Sequence, residues 1–254
     1  MADKQLQAVD VLAFGPHPDD VEIGAAASIA KDAAGGHRVF ICDLTAGEMG
    51  TNGNVATRAR EGRMAAEVLG AVGRACLGLP DGRLGAAADG ADLVAGMIRA
   101  LRPQVVLGPW HEERHPDHRD GYEMVRRGLF LAGLNRYEID RPQRLPEGLG
   151  DGALIPHRVP VVFYYLINSP ARPDILVDVS AHYQAKRRAL AAFDSQFGYR
   201  AAAMPTPLND GIYLPGVEGR DASFGRDAGV SFAEGFIAER CPCIPSLLDV
   251  EVCR

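Results

Sequence analysis

The chain has 254 residues, 47% hydrophobic and 24% charged, with a formal net charge of -6. That is enough chain for a full hydrophobic core. The acidic balance, with no basic stripe interleaved with aromatics, argues against nucleic acid or an anionic membrane as partner.

The segment Met1–Gly15 lacks the basic region and long apolar core of a secretory leader, and no run approaches the roughly 18 apolar residues that span a bilayer. A cytoplasmic location is therefore expected. Val9–Phe14 reads as a buried strand, followed by the loop Gly15–Asp20. Ile23, Ala26, Ala27, Ala30 and Ala34 mark one side of a helix that Gly35-Gly36 ends. Val39–Leu44 is the second strand, and its following loop Thr45–Gly53 is rich in Gly, Thr and Asn. A helix is expected from about Thr57 to Leu69, a strand at Ala75–Leu79, a helix at Ala91–Leu101 and a short buried strand at Val105–Gly108. The polar segment Trp110–Asp120 comes next, then a helix through Leu131. This cadence predicts one α/β domain over 1–254, a Rossmann-like, mostly parallel sheet with helices on both faces, whose functional loops lie beyond the C-terminal strand ends.

The second half is less regular. Pro142–Pro160 reads as an irregular crossing, Val161–Ile167 and Ile175–Val179 as strands, and Ala181–Phe193 as a helix capped by Ser180. Gly198–Gly229 reads as a long turn-rich loop bordering a site or a subunit contact, and Ser231–Glu239 as a last helix. Cys42 and Cys76 lie in apolar runs and read as buried small side chains. Cys241, Cys243 and Cys253 lack the second matching pair of a metal or disulfide framework.

Two polar clusters carry the chemistry. Gly15-Pro16-His17-Pro18-Asp19-Asp20 follows the first strand directly, and His111-Glu112-Glu113-Arg114-His115-Pro116-Asp117-His118 follows a later one. Imidazole and carboxylate both donate electron pairs to a divalent metal. Either cluster alone could be a helix cap or a solvated turn. Two such loops at the same edge of a parallel sheet can meet in space, and together they favour a metal site. The first turn has no glycine fingerprint for a dinucleotide.

The HPDDVE segment at His17–Glu22 and HPDH at His115–His118 resemble the two motifs of the LmbE-like, or PIG-L-type, deacetylase family. The stretch Gly47–Gly53, the pair Arg58 and Glu61, and the segment Lys186–Phe197 are similar to further landmarks of that family, though Pro16 stands where alanine is expected. The resemblance implies a metal-dependent N-deacetylase, with Zn2+, or Fe2+ or another divalent ion, held by His17, Asp20 and His118. It implies Asp19 as general base and His115 as the histidine at the reacting carbonyl or leaving amine. It is closest to the bacillithiol-biosynthesis branch, which acts on N-acetylglucosaminyl malate, and so implies a small anionic amino-sugar substrate and a homo-oligomer.

Other residues are candidates with bland alternatives beside them. Asp117 could orient an imidazole or cap its helix. Arg58 could bind a substrate carboxylate or pair with Glu61 on a helix surface. Glu48 and Asn52 could contact sugar hydroxyls or sit in a solvated loop. Lys186, Arg187 and Arg188 read as a solvated helix patch, for which the resemblance implies a pocket or subunit-interface role as the alternative. Trp110 reads as packing beside the second motif or a sugar-stacking wall, and Tyr199, Tyr213 and Asn209 as pocket candidates. A glycan or antibiotic deacetylase is the nearest competing function, and a non-catalytic sugar-binding protein the competitor from another class.

Overall fold

The computed structural model describes residues 8–139, 145, 149, 154–198 and 204–246. Its first strand, β1 (Val11–Gly15), is buried at every position, as is β2 (Val39–Thr45); strands of this kind are covered on both faces. β1 pairs in parallel with β2 on one side and with β4 (Val105–Pro109) on the other. β3 (Gly73–Leu79) continues the sheet beyond β2, and β5 (Val161–Tyr165) beyond β4, again in parallel. β6 (Ile175–Asp178) and β7 (Ala233–Ala238) complete it with antiparallel pairings, in the order β3-β2-β1-β4-β5-β7-β6.

Alternation along β1 sends Leu12 and Phe14 to one face and Val11 and Ala13 to the other. Leu12 and Phe14 share a core with Leu93, Val94 and Met97 of α3 (Gly90–Leu101) and Val125 of α4 (Pro116–Ala132). Val11 and Ala13 share a second core with Ile23 and Ile29 of α1 (Asp20–Ala34), Leu69 of α2 (Val55–Leu69) and Leu190 of α5 (Tyr183–Ala192). Burying a side chain of this size contributes about 1.5–3 kcal/mol, so the two-sided core fixes where each strand ends. The fold is the Rossmann-like α/β architecture expected. Among the described residues no helix is long and apolar enough to cross a membrane.

The structure departs from expectation in several places. The region read as one long loop, Gly198–Gly229, contains α7 (Tyr213–Ala228), closed by Gly229 at φ 77°, and the short α6 (Asp194–Phe197) precedes it. Ser231–Glu239 holds the strand β7, not a helix; its Glu234 is fully buried and ion-paired, which periodicity could not reveal. α5 starts at Tyr183, and the Ser180 hydroxyl bonds the Asp178 carboxylate instead of capping it. α4 begins inside the second polar cluster, with proline in its first turn where the missing N–H costs nothing. Cys42 is buried but Cys76 is exposed, on the edge strand β3. Cys241 and Cys243 are exposed free thiols, while Tyr199, Cys253 and most of 142–153 lie outside the described residues.

β1 and β4 are ladder neighbours, although β2, α2, β3 and α3 lie between them in sequence. The chain leaves β1 towards one edge and returns on its other side, so the sheet reverses direction of growth there. Ligand sites form at such reversals, beyond the carboxyl ends of the strands.

Candidate metal centre

The first motif leaves the carboxyl end of β1 and is tied to β2: the Thr45 N–H and hydroxyl both donate to the Pro16 carbonyl, at 3.0 and 2.9 Å. Asp19 then occupies the N-cap of α1 at φ 127° and ψ -24°. Such a backbone is rarely adopted by a residue with a side chain and costs on the order of 1–3 kcal/mol. Arg58 holds it there, Nη2 donating to the Pro18 carbonyl and to Asp19 Oδ2, and Nη1 to the Gly47 carbonyl at 3.4 Å. Gly47 sits at φ +67°, and a Cβ on it would lie 2.2 Å from Arg58 Nη1. The Asp19 side chain makes no capping hydrogen bond, so the capping alternative does not account for it. Burial pushes its carboxyl up to about 7, against the pull of Arg58 and with the push of Asp20.

Asp20 is the point of convergence. Its Oδ2 lies 3.0 Å from His17 Nδ1 and 3.3 Å from His118 Nε2, which brings the two motifs together. Zinc–nitrogen and zinc–oxygen bonds of about 2.0–2.2 Å imply roughly 3.3 Å between neighbouring donors of a tetrahedral site, so these spacings suit a divalent ion. The nitrogens facing away are held by carboxylates. His17 Nε2 is 3.1 Å from Asp81 Oδ1 and 3.4 Å from Asp117 Oδ2, and His118 Nδ1 is 2.7 Å from Glu113 Oε2. Carboxylates behind metal-binding imidazoles fix the tautomer and aim the free nitrogen. Burial works against charge on these rings, but Asp20 and Glu113 outweigh it at His118, raising it to about 9. Burial likewise opposes ionisation of Asp20, and His118 and His17 reverse this, holding it well below the usual carboxylate range.

His115 is the N-cap of α4, its Nδ1 accepting from the Asp117 N–H at 3.2 Å. With that lone pair engaged, the neutral ring carries its proton on Nε2. Burial, then His17 and His118, lower its pKa and favour this neutral form. Ring nitrogens of His17, His115 and His118 also lie within 4.8 Å of one another, which puts His115 beside the two histidines that meet Asp20.

The chain matches the family model described as PIG-L, GlcNAc-PI de-N-acetylase, over residues 12–128. It is 30% identical over 242 residues to the diacetylchitobiose deacetylase of Thermococcus kodakarensis, covering 91% of this chain and 86% of that one. It belongs to the PIG-L/LmbE-type deacetylase family. A crystal structure of a conserved protein from Thermus thermophilus is similar with a TM-score of 0.80 and 31% identity, over 93% of this chain and 97% of that one. The N,N'-diacetylchitobiose deacetylase from Pyrococcus horikoshii shares the fold, with a TM-score of 0.76 and 23% identity over 96% of this chain and 89% of that one. As a family member the chain is a metal-dependent amide hydrolase, and the clustered His/Asp donors can hold the divalent ion.

Several candidate residues prove to be braces. Asn52 Nδ2 donates to the Met204 carbonyl and its Oδ1 accepts from the Met204 N–H, which joins two loops. Glu48 accepts from the Asp81 N–H at 2.9 Å. Arg58 and Glu61 part company: Arg58 faces Asp19, while Glu61 accepts from the Ser195 N–H and hydroxyl on α6. Lys186 is not part of a solvated patch. It is fully buried, 2.7 Å from Asp221 and 2.8 Å from Glu234, whereas Arg187 pairs with Glu218 and Arg188 is exposed. Trp110 packs with His111, Tyr122 and Tyr164. Asn209 bonds within its own loop, to Thr206 and Met204.

Sequence reasoning missed Asp81 and Glu113. Asp81 follows the carboxyl end of β3, so the same-edge logic that joined the two motifs could have added it. Glu113 stands inside the second cluster, but nothing in its spacing singles it out from Glu112.

Proposed function

We propose that the enzyme hydrolyses the acetamide of an N-acetylated amino sugar or glycoconjugate, with Zn2+ held by His17, Asp20 and His118. The observation that carries this reading is the convergence of His17 Nδ1, Asp20 Oδ2 and His118 Nε2, each ring backed by a carboxylate, beside a buried carboxyl at Asp19. Two histidines and a carboxylate are a donor set of catalytic zinc sites. Asp20 is preferred to His115 as third ligand because it lies between the other two donors and because the His115 Nδ1 is spent on capping α4.

When bound, such an ion activates water and polarises the acetamide oxygen. Asp19, a buried carboxyl beside the converging donors, accepts the proton of the attacking water and returns it to the leaving amine. His115 donates from Nε2 to the carbonyl oxygen as negative charge gathers there. Arg58 keeps Asp19 in its strained conformation. Acetate and a free amine result.

Arg58, on which recognition of a malate carboxylate rested, is buried and engaged with Asp19, Pro18 and Gly47. That leaves the malate reading without its sequence-local support, and the broader class is the better-supported reading. The experiment is acetate release by chelator-treated protein, before and after Zn2+ or Fe2+ addition, from N-acetylglucosamine, N,N'-diacetylchitobiose and N-acetylglucosaminyl malate. Metal-restored release from at least one is expected. Metal-loaded protein inert towards all three overturns the proposal, and activity on the malate compound alone reinstates the anionic substrate.

A further inference from the structure

We infer that Asn168 and Tyr213 are positioning residues for the His118 ligand nitrogen, acting through Glu113. This rests on the metal reading above. The residues form one hydrogen-bonded line across four parts of the fold. His118 Nδ1 lies 2.7 Å from Glu113 Oε2, Asn168 Nδ2 donates to the same oxygen at 3.0 Å, and the Tyr213 hydroxyl reaches Asn168 Oδ1 at 2.8 Å. The Asn168 and Ser169 N–H groups donate to the other Glu113 oxygen.

Every direction in the line is determined. An ionised carboxylate only accepts, so Asn168 must turn its amide nitrogen towards Glu113 and its oxygen towards Tyr213. Tyr213 must then donate. His118 must likewise carry a proton on Nδ1, which leaves Nε2, on the Asp20 side at 3.3 Å, as the ring nitrogen a metal would take in place of a proton. Glu113 is buried, so an acceptor left without its donors would cost more there than in water. Tyr213 is the first residue of α7 and stacks on Phe197 of α6, with ring centroids 6.0 Å apart and planes 11° from parallel. The line therefore ties the ring of a metal histidine on α4 to a wall built by α6 and α7.

Nothing in this arrangement requires Tyr213 or Asn168 to touch substrate, so their removal should be read in the metal. Tyr213→Phe keeps the stacked ring and deletes only the hydroxyl. Asn168→Ala deletes both contacts of the amide side chain. Each should weaken Zn2+ affinity by about 10-fold, the low end for partners behind metal ligands. Affinity is measured by competition with a chromogenic chelator, and the absorption bands of the Co2+-substituted protein should shift as the ring relaxes. Glu113→Gln, one bond closer, should cost at least as much. Circular dichroism and thermal melts of the metal-free variants show that they are folded. If Glu113→Gln loses affinity while the other two match the parent in affinity and Co2+ spectrum, the inference is overturned; so is a change confined to KM, which would put Tyr213 on substrate. Because the readout is metal binding, failure of acetate release alone would sink the proposed reaction and leave this inference standing.

Discussion

Arg58 holds Asp19 and the residue before it with one atom: the guanidinium nitrogen that meets Asp19 Oδ2 at 3.0 Å also donates to the carbonyl of Pro18. One side chain thus grips both the carboxylate and the peptide leading into its unusual φ of 127°. A lysine cannot reproduce a planar fork with fixed donors. Arg58→Lys should lower kcat by about 100-fold, the scale of an ångström-sized misplacement, at unchanged zinc content. Unaltered turnover at full metal occupancy would show that Asp19 needs no such grip.

Asp19→Asn preserves shape and removes the base. Loss of the proton carrier should slow hydrolysis by about 10²–10⁴-fold while zinc stays bound, because Asp19 is not among the converging ligands. Single-turnover acetate release, compared at equal zinc content, tests this. A variant that loses its zinc would place Asp19 among the ligands.

Metal-free protein and metal affinity should respond to pH in opposite directions. The folded-state pKa of His118 is raised from 6.5 to about 9. The stability it contributes is complete below about 6.5 and is lost as pH rises through about 9. Zinc needs the same nitrogen unprotonated, so apparent affinity should rise across that window. Denaturant melts of chelator-treated protein and zinc competition, both at pH 6.5 and 9, should show stability falling and affinity climbing. Affinity that is flat with pH would remove His118 from the ligand set.

How much was legible follows from what each residue answers to. The buried strands β1, β2 and β4 answer to local hydrophobicity, and the motif loops to their place after those strands, so both could be read directly. Glu234 and Lys186 answer to each other across 48 residues. A glutamate in β7 and a lysine in α5 look like surface residues until the partner is known, which is why a helix was expected for one and a solvated patch for the other. Arg58 failed differently: its nearness to the site was readable, but its partner is Asp19 and two carbonyls instead of a ligand. Carboxylates behind the histidines come from β3–α3 and from the second loop itself, a convergence that only tertiary packing supplies.

Lys186→Met should be among the most damaging single changes outside the metal centre. It leaves Asp221 and Glu234 buried with a cation removed, and breaking such a set costs about 3–5 kcal/mol. Glu234 also accepts from the Ala27 and Ser28 N–H groups of α1, at 3.1 and 2.7 Å, so the helix that follows Asp19 loses a support. Urea titration against Arg188→Met, expected within about 0.5 kcal/mol of the parent as an exposed position, measures the difference. Similar midpoints for the two would deny the buried network its structural role.

The adjacency of β1 and β4 has a consequence for the order in which the site comes into being. His17 and Asp117 are 100 residues apart in the chain, and β4 can reach its place beside β1 only once it exists. A ribosome working at about 5–20 residues per second releases the second motif roughly 5–20 s after the first. Through that interval the nascent protein presents His17 and Asp20 without His118, and a divalent ion has half a cradle to settle in. The complete donor set therefore exists only after β4 has taken its place beside β1.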